Sequence, residues 1–190
     1  MRIKQAIEQS IQLKQQVLAS ETILNTIENV VNACINAYGQ NGKVLFCGNG
    51  GSAADAQHLA AELSGRFYFD REPLNSEALH VNTSYITAVA NDYSYDIIYS
   101  RLIKGIGKEG DVLIGLSTSG NSANVVNAFK TAKEIGLLTV GLTGESGGKM
   151  KDFCDFLINV PSADTPRIQE AHIMIGHIIC EIIESEMFPR

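Results

Sequence analysis

The sequence lacks the cysteine pairs and long apolar runs that mark several common protein classes. Its four cysteines, Cys34, Cys47, Cys154 and Cys180, form no CxxC pair. This spacing supports neither a zinc knuckle nor a dithiol redox motif and predicts buried thiols. No stretch approaches the roughly 20 apolar residues of a membrane span, and the N-terminus is polar and amphipathic, without the apolar segment of a signal peptide. We therefore expect a cytoplasmic protein.

Basic charge and proline are also scarce. The 15 Lys and Arg residues are outnumbered by 21 Asp and Glu residues, giving a formal net charge of -6. Such a balance provides no general attraction for nucleic acid or an anionic membrane, so any anion must be bound locally. The four prolines recur at no fixed interval, and no low-complexity linker divides the chain. We expect residues 1–190 to form one domain.

The first part of the chain has the pattern of two helices. Apolar residues recur at helical spacing from Ile3 to Tyr38, and Ser20 interrupts them with a residue suited to cap a second helix. This predicts a helical hairpin over residues 1–39, attached to the rest of the domain. Its apolar positions cover more of each helix than one sheet face could bury, which suggests a role in oligomerisation.

After Gly42 the pattern changes to short apolar runs bounded by turn residues, at 43–47, 78–81, 112–116, 138–142 and 156–160. Three clear helical stretches, 53–63, 123–135 and 169–187, alternate with these runs. Alternation of this kind predicts an α/β fold, in which a parallel sheet is covered by helices on both faces.

A glycine-rich turn between a predicted strand and helix is the first candidate binding loop. Gly48, Gly50 and Gly51 allow the backbone to turn tightly and approach a ligand, and the following helix N-terminus favours an anion or a polyol. The turn fits neither the GxGxxG nor the GxxxxGK[ST] template, which disfavours a dinucleotide site or a P-loop. Packing alone remains an alternative explanation.

A hydroxyl-rich loop follows the next strand of the predicted core. Around Gly120 and Asn121 it places four hydroxyl side chains: Ser117, Thr118, Ser119 and Ser122. Hydroxyls and backbone N–H groups at a helix start suit a phosphate, although Ser119 or Ser122 could instead cap the helix. Because both loops follow parallel strands, we expect them to open at the same carboxyl edge of the sheet.

Two helices carry candidate acid–base or metal-binding residues. His58 and Glu62 lie four residues apart, so they share a helix face and could hold a metal ion or pass a proton. An ordinary surface pair is the alternative. The last helix offers Gln169, Glu170, His172 and His177 among apolar neighbours, where a histidine is more often a packed core residue than a ligand.

Five segments together resemble the signature segments of the SIS (sugar isomerase) family, in its phosphoheptose isomerase branch. They are CGNGGSAADAQHLAAELSGR, AVANDYSYD, GDVLIGLSTSGNSANV, GLTGESGGKM and RIQEAHIMIGH, in that order. Related glucosamine-handling SIS domains share the STSG loop but not the whole set. The resemblance implies a flavodoxin-like three-layer α/β/α fold and a homotetramer with sites at subunit interfaces.

The resemblance also implies an activity. Members of this branch convert D-sedoheptulose 7-phosphate to D-glycero-D-manno-heptose 7-phosphate through an enediol, the first step of ADP- or GDP-heptose biosynthesis. Whether the heptose would enter lipopolysaccharide, capsule or glycoprotein is left open by the sequence.

Residue by residue, the resemblance makes Glu62 the catalytic base and His177 the second acid–base group. It implies zinc held by His58, Glu62, Gln169 and His177. The positions that match substrate-binding residues are Asn49, Gly50, Gly51, Ser52, Glu62, Arg66, Asn91, Asp92, Ser117, Thr118, Ser119, Ser122 and Gln169. Gln169 and His177 are about 12 Å apart along a helix axis, so they can share an ion only if their side chains converge.

The chain departs from the family pattern at one place. Some members carry an acidic residue directly before the Arg-Ile-Gln of the last helix, where this sequence has Pro166, with Asp164 two residues earlier. The resemblance therefore carries no role for that carboxylate over to this chain.

Two other functions are compatible with much of the sequence. A non-catalytic SIS regulator that binds the replication initiator protein resembles the chain over a similar length, but it lacks the Glu and His that match Glu62 and His177. Their presence favours an enzyme. An isomerase for another ketose phosphate is the second alternative, because phosphate recognition does not depend on the number of carbons.

Overall fold

The computed structural model describes residues 1–190 and contains a five-stranded sheet in which every pairing is parallel. The strands are β1 Val44–Gly48, β2 Ser76–Ala78, β3 Val112–Leu116, β4 Leu138–Thr143 and β5 Phe156–Asn159. Their order across the sheet is β2-β1-β3-β4-β5, the order of flavodoxin-like folds. The predicted α/β class and parallel sheet are confirmed.

Seven helices accompany the sheet. They are α1 Arg2–Leu18, α2 Glu21–Gly39, α3 Gly51–Ser64, α4 Thr83–Asp92, α5 Ile98–Ile106, α6 Ala123–Ile135 and α7 Thr165–Met187. Two of these helices, α4 and α5, lie between β2 and β3 and were not predicted from the apolar pattern of the sequence. No helix of the chain has the length and apolar character needed to cross a membrane.

Alternation along the strands divides the interior into two cores. Val44 and Phe46 on β1 belong to the core beneath α2, α3 and α7, whereas Leu45 and Cys47 belong to the core beneath α4, α5 and α6. All five residues of β1 and of β3 are buried, as expected for strands covered on both faces. This arrangement is the predicted three-layer sandwich.

The edge strand β2 differs from its predicted position. It covers Ser76–Ala78 rather than residues 78–81, although the N–H of Leu79 still donates to Phe46. The chain then turns, because Asn82 caps α4 by accepting from the N–H of Tyr85 at 3.0 Å. Val81 consequently lies outside the sheet and is exposed.

The N-terminal hairpin forms as predicted, with Ser20 accepting from the N–H of Ile23 at 3.4 Å as the cap of α2. The second helix of the hairpin, α2, is also part of the domain core. Ile27, Val30 and Val31 of α2 lie in the core against the sheet, whereas α1 contributes only Leu13 and Val17 to the same core.

Candidate active site

The candidate site lies at the carboxyl edge of β1 and β3, where the chain direction across the sheet reverses. β1 is followed by α3 on one face, and β3 by α6 on the other. Gly48 and Leu116 are the last register partners of the two strands, so both loops leave the sheet at the same level. Open α/β sheets bind ligands in the crevice formed at such a switch point.

The first loop depends on glycine at two positions. Gly50 has φ 56° and ψ −123°, a conformation that other residues rarely adopt. A Cβ atom at Gly51 would lie 2.3 Å from Nε2 of Gln169. The absence of a side chain at Gly51 therefore lets α7 approach the start of α3. Ser52, the next predicted site residue, is buried within the first turn of α3.

The second loop turns its carbonyl groups away from the crevice. The carbonyl oxygen of Thr118 accepts from the N–H of Gly144 at 3.0 Å, and that of Gly120 accepts from Met150 at 2.9 Å. The backbone N–H groups of Thr118, Ser119 and Ser122 have no acceptor in the chain. Several free N–H donors in one short loop before a helix N-terminus suit the oxygens of a phosphate.

The hydroxyl groups of this loop are only partly engaged within the chain. Ser122 is the N-cap residue of α6 but makes no side-chain cap bond, so the capping explanation fails for it. Its Oγ atom lies 3.0 Å from Oγ of Ser117. Ser119 Oγ accepts from the N–H of Asn121 at 3.2 Å and lies outside the helix. The hydroxyls of Ser119 and Thr118 retain the capacity to donate.

A third segment supports the second loop from behind. Gly120 has φ +65°, and a Cβ atom there would lie 2.2 Å from the carbonyl oxygen of Gly147. Asn121 joins the two segments, since its Nδ2 donates to the Ser119 carbonyl at 2.9 Å and its Oδ1 accepts from the N–H of Lys149 at 3.0 Å. Residues 144–150 thus fix the shape of the second loop.

Three side chains from two helices converge beside the first loop. Nε2 of His58 lies 3.3 Å from Oε1 of Glu62 on α3 and 2.9 Å from Nε2 of His177 on α7. Their ligand atoms all lie within 4.8 Å of one another, an arrangement that could hold a metal ion. Two imidazole lone pairs at this distance repel each other unless a proton or a metal ion lies between them. The donor set therefore fits a metal such as zinc.

Asp55 is a neighbour of this cluster that the sequence analysis did not identify. Burial raises the pKa of its carboxyl group above the usual range, while the Gln169 amide and the imidazoles of His58 and His177 act to lower it. Its Oδ2 atom is buried without a hydrogen-bond partner. Asp55 lies three residues before His58 and seven before Glu62, and this spacing places all three on one helix face. The spacing is the signal that could have identified Asp55 from the sequence.

Gln169, the fourth predicted metal ligand, lies at the start of α7 between Gly51 and Asp55. Its side chain faces Gly51 and Asp55 of α3, and its convergence with His177 on one ion stays a prediction. The contact with Gly51 places it at the first loop, so it borders both the cluster and the predicted sugar end of the crevice.

A buried ion pair holds the end of α3 that carries Glu62, and the sequence alone did not reveal this pair. The side chains of Arg71 and Glu184 are 2% and 1% exposed and are joined by a 2.9 Å bond. Arg71 also donates to the carbonyl oxygen of Glu62 at 2.9 Å. Glu184 accepts from the N–H groups of Phe67, at 2.8 Å, and Tyr68, at 2.7 Å. Nothing in the sequence distinguishes Glu184 from the exposed Glu181 of the same helix.

Three predicted site residues lie apart from these groups within the chain. Arg66 is exposed and makes no ion pair, just beyond the C-terminal end of α3. Asn91 and Asp92 are exposed at the end of α4, where Nδ2 of Asn91 donates to Oδ1 of Asp92 at 2.9 Å.

The residues at the family departure have local partners. Asp164 is the N-cap residue of α7 without a side-chain cap bond, and its Oδ2 lies 3.9 Å from Nε of Arg167. Pro166 occupies the first turn of α7, where a missing N–H costs nothing. Asp164 therefore faces an arginine of its own helix.

His172 is a packed histidine. It is fully buried, and its Nε2 atom lies 3.1 Å from the carbonyl oxygen of Thr143. Burial lowers its pKa to about 4, although the bond to Thr143 acts in the opposite direction. The ring is therefore neutral at physiological pH and stands apart from the cluster around His177.

Comparison with known proteins gives consistent relatives over almost the whole chain. The SIS domain family model matches residues 7–144. The chain is 54% identical over 186 residues to the phosphoheptose isomerase of Clostridium acetobutylicum, covering 98% of this chain and 95% of that protein. It is 50% identical over 188 residues to that of Burkholderia pseudomallei, covering 99% and 95%.

Solved structures agree with this assignment. The phosphoheptose isomerase of Neisseria gonorrhoeae superposes with a TM-score of 0.91 at 41% identity, covering 97% of each chain. That of Francisella tularensis gives a TM-score of 0.92 at 34% identity over the same share of both chains. This chain therefore belongs to the SIS domain family and, within it, to the phosphoheptose isomerases.

Proposed function

We propose that the chain converts D-sedoheptulose 7-phosphate to D-glycero-D-manno-heptose 7-phosphate through an enediol intermediate. The observation that carries this proposal is that Glu62 and His177, from two helices, meet beside the first loop, while the second loop at the same edge of the sheet suits a phosphate. A ketose–aldose isomerase needs an acid–base pair at one end of its substrate and an anion site at the other. The reaction would supply the first intermediate of ADP- or GDP-heptose biosynthesis.

The two ends of the substrate would occupy the two loops. The phosphate binds the free N–H groups and hydroxyls of residues 117–122, and the carbonyl end lies toward residues 49–52 and the cluster. Holding both ends places the reacting carbons within reach of Glu62, and positioning of this kind supplies much of an enzyme's rate enhancement.

Glu62 and His177 divide the proton transfers. The carboxylate of Glu62 removes the proton from the carbon next to the carbonyl group, and His177 exchanges a proton with the oxygens. The 22% exposed Glu62 side chain lies on α3, whose end is fixed by the bond from Arg71 to the Glu62 carbonyl. The base is thus held by a rigid element.

Zinc is the cofactor we propose for the cluster, held by His58, Glu62 and His177 with Gln169 as the fourth ligand. When bound, the ion would polarise the substrate carbonyl and stabilise negative charge on the enediol oxygens. Nitrogen and carboxylate ligands are those that zinc prefers. Ligation would also make Glu62 a weaker base, so metal and base roles must be tested separately.

A homotetramer assembled through the N-terminal hairpin is the quaternary structure we propose. Ile3, Ile7 and Ile11 of α1 are exposed at 79%, 55% and 49%. Ile11 also lines an apolar groove of about 540 Å³ between α1, α2 and α7. A second copy would cover these surfaces. The exposed Arg66, Asn91 and Asp92 are the residues that we expect to meet the substrate across a subunit interface.

The test is direct incubation of purified protein with D-sedoheptulose 7-phosphate, following aldose formation by anomeric NMR signals. We expect conversion to an equilibrium mixture, and fructose 6-phosphate should serve as the control ketose of different length. Equal turnover of the shorter ketose would favour the alternative of another isomerase. Absence of any turnover would favour the non-catalytic regulator.

A further inference from the structure

A side-chain amide pair joins the two candidate ligand loops. Nδ2 of Asn49 donates to Oδ1 of Asn124 at 2.8 Å, and Nδ2 of Asn124 donates to Oδ1 of Asn49 at 2.8 Å. Asn49 directly follows β1, and Asn124 lies in the first turn of α6, directly after the second loop. The pair therefore connects chain segments that are 75 residues apart.

The amide pair is well ordered by its surroundings. Asn124 is 2% exposed, and its Oδ1 atom also accepts from the N–H of Val125 at 3.0 Å. The Oδ1 atom of Asn49 accepts a second bond from the hydroxyl of Tyr95 at 3.0 Å. Each amide is thus held in one orientation by a third group, and an amide pair whose hydrogen bonds are satisfied in this way is rigid.

No other hydrogen bond joins the two loops. The β1–β3 ladder ends at Gly48 and Leu116, and no backbone bond connects residues 49–52 with residues 117–124. Neighbouring strands within a sheet are about 4.8 Å apart. Beyond the ends of β1 and β3, α3 and α6 leave toward opposite faces of the sheet. The Asn49–Asn124 pair is therefore the direct polar link across the crevice.

We propose that Asn124 is a positioning residue which, through Asn49, sets the distance between the phosphate loop and the loop at the sugar end. This inference rests on the proposed function, because it requires a ligand that spans both loops. The binding of a ligand that contacts only the phosphate loop does not depend on the distance between the two loops. The pair should therefore affect the binding of a sugar phosphate and leave the binding of inorganic phosphate unchanged.

The experiment measures two ligands by calorimetry. Inorganic phosphate probes the second loop alone. A heptitol 7-phosphate, the ketose reduced at its carbonyl group, spans both loops and cannot be isomerised. The variants are Asn49→Ala, Asn124→Ala and the double variant, because each single change breaks the pair from a different side. Asn49 is only partly buried, so its replacement preserves the fold even where that of Asn124 does not.

Asn127→Ala is the matched control. Asn127 lies on the same helix one turn later, and its amide donates to the carbonyl oxygen of Asp96 at 3.0 Å, outside both loops. We expect this variant to bind both ligands as the unmodified chain does. It controls for the loss of one amide hydrogen bond from α6.

We expect both single variants to bind the heptitol phosphate at least about tenfold more weakly, with phosphate affinity changed by less than about twofold. The double variant should be no weaker than the single ones, since coupled residues are not additive. Unchanged heptitol phosphate affinity, or an equal loss for both ligands, would overturn the proposal. Binding can be measured without turnover. An inactive protein would therefore refute the proposed function, whereas the ratio of the heptitol phosphate affinity to the inorganic phosphate affinity would still test this inference.

Discussion

The Nε2 atoms of His58 and His177 lie 2.9 Å apart, although the residues are separated by 119 positions in the chain. The contact exists because α3 and α7 pack side by side on one face of the sheet. It brings Glu62, 3.3 Å from His58, into the same group. A proton or an ion must lie between the two imidazoles, which makes their environment the most informative place for mutation.

Replacement of Glu62 by Gln should reduce turnover by about 10²-fold or more while substrate affinity largely survives. Glutamine keeps the size of the side chain but lacks the basic carboxylate, and general-base contributions are typically about 10² to 10⁴. His177→Gln should behave similarly. Steady-state kinetics of the isomerisation will measure both.

His172→Gln is the control for these variants, because His172 is a buried histidine on the same helix as His177 whose Nε2 contacts only the Thr143 carbonyl. A glutamine amide can donate to that carbonyl in its place. Near-wild-type turnover of Glu62→Gln would show that the proposed base is wrong.

Removal of metal by a chelator should abolish activity, and added Zn²⁺ should restore it. His58→Ala should lower the bound zinc measured by atomic absorption, because it removes one of the three donors that lie within 4.8 Å of one another. Glu170→Ala is a suitable control on α7, since Glu170 pairs with Arg167 instead. Activity indifferent to chelation would leave Glu62 and His177 as a metal-free acid–base pair.

Ser119→Ala should weaken substrate binding by roughly 1–3 kcal/mol, because its hydroxyl would donate to a charged phosphate oxygen. The N–H of Asn121 also loses its acceptor in this variant, which adds to the loss of loop order. Ser185→Ala is the control, since that hydroxyl lies at an exposed position of α7 and bonds only the Ile182 carbonyl. A Ser119→Ala enzyme with unchanged KM and kcat would remove this hydroxyl from the site.

The exposed face of α1 should be required for assembly. Light scattering of the unmodified chain should give a mass of about four times the 20.6 kDa protomer. Ile7→Asp and Ile11→Asp should each shift the protein toward smaller species, because a charge would replace apolar surface buried between copies. Lys4→Asp on the same helix is the charge control. A monomer at micromolar concentration in the unmodified chain would contradict the proposed tetramer.

Stability should fall in acid through Glu184. Burial alone would raise the pKa of Glu184, but the N–H groups of Phe67 and Tyr68 and the Arg71 guanidinium outweigh it and hold the pKa below its usual value. A carboxyl group with a depressed pKa stabilises the fold above its unfolded-state pKa of about 4.3 and loses that contribution as pH falls through the folded-state value.

Glu184→Gln should therefore lower the free energy of unfolding at pH 7 by about 3 kcal/mol, since it leaves the buried Arg71 guanidinium without its anionic partner. The variant and the unmodified chain should become more similar in stability below pH 4, as urea denaturation will show. Glu181→Gln, on the exposed side of α7, should change little. An equal stability difference at pH 7 and pH 3 would argue against the ionised pair.

The sequence alone determined the α/β class, the parallel sheet and the bounds of its central elements. β3 and α6 lie where the apolar pattern placed them, because a buried strand and an amphipathic helix each leave a local periodic signal. It also placed the two candidate loops at one edge, since parallel strands end together. The edge strand and α4 were less predictable, because short, partly exposed elements have weak apolar patterns.

Only the tertiary structure decided which side chains meet. Arg71, Glu184 and Asn124 give no local signal, because each is defined by a partner far away in the chain: Glu184 for Arg71, the N–H of Phe67 for Glu184, and Asn49 for Asn124. Likewise His172 and His177 are alike in sequence, and the packing of α7 alone buries one and brings the other to His58. Periodicity reports the face of a helix, whereas long-range contact depends on how helices pack on the sheet.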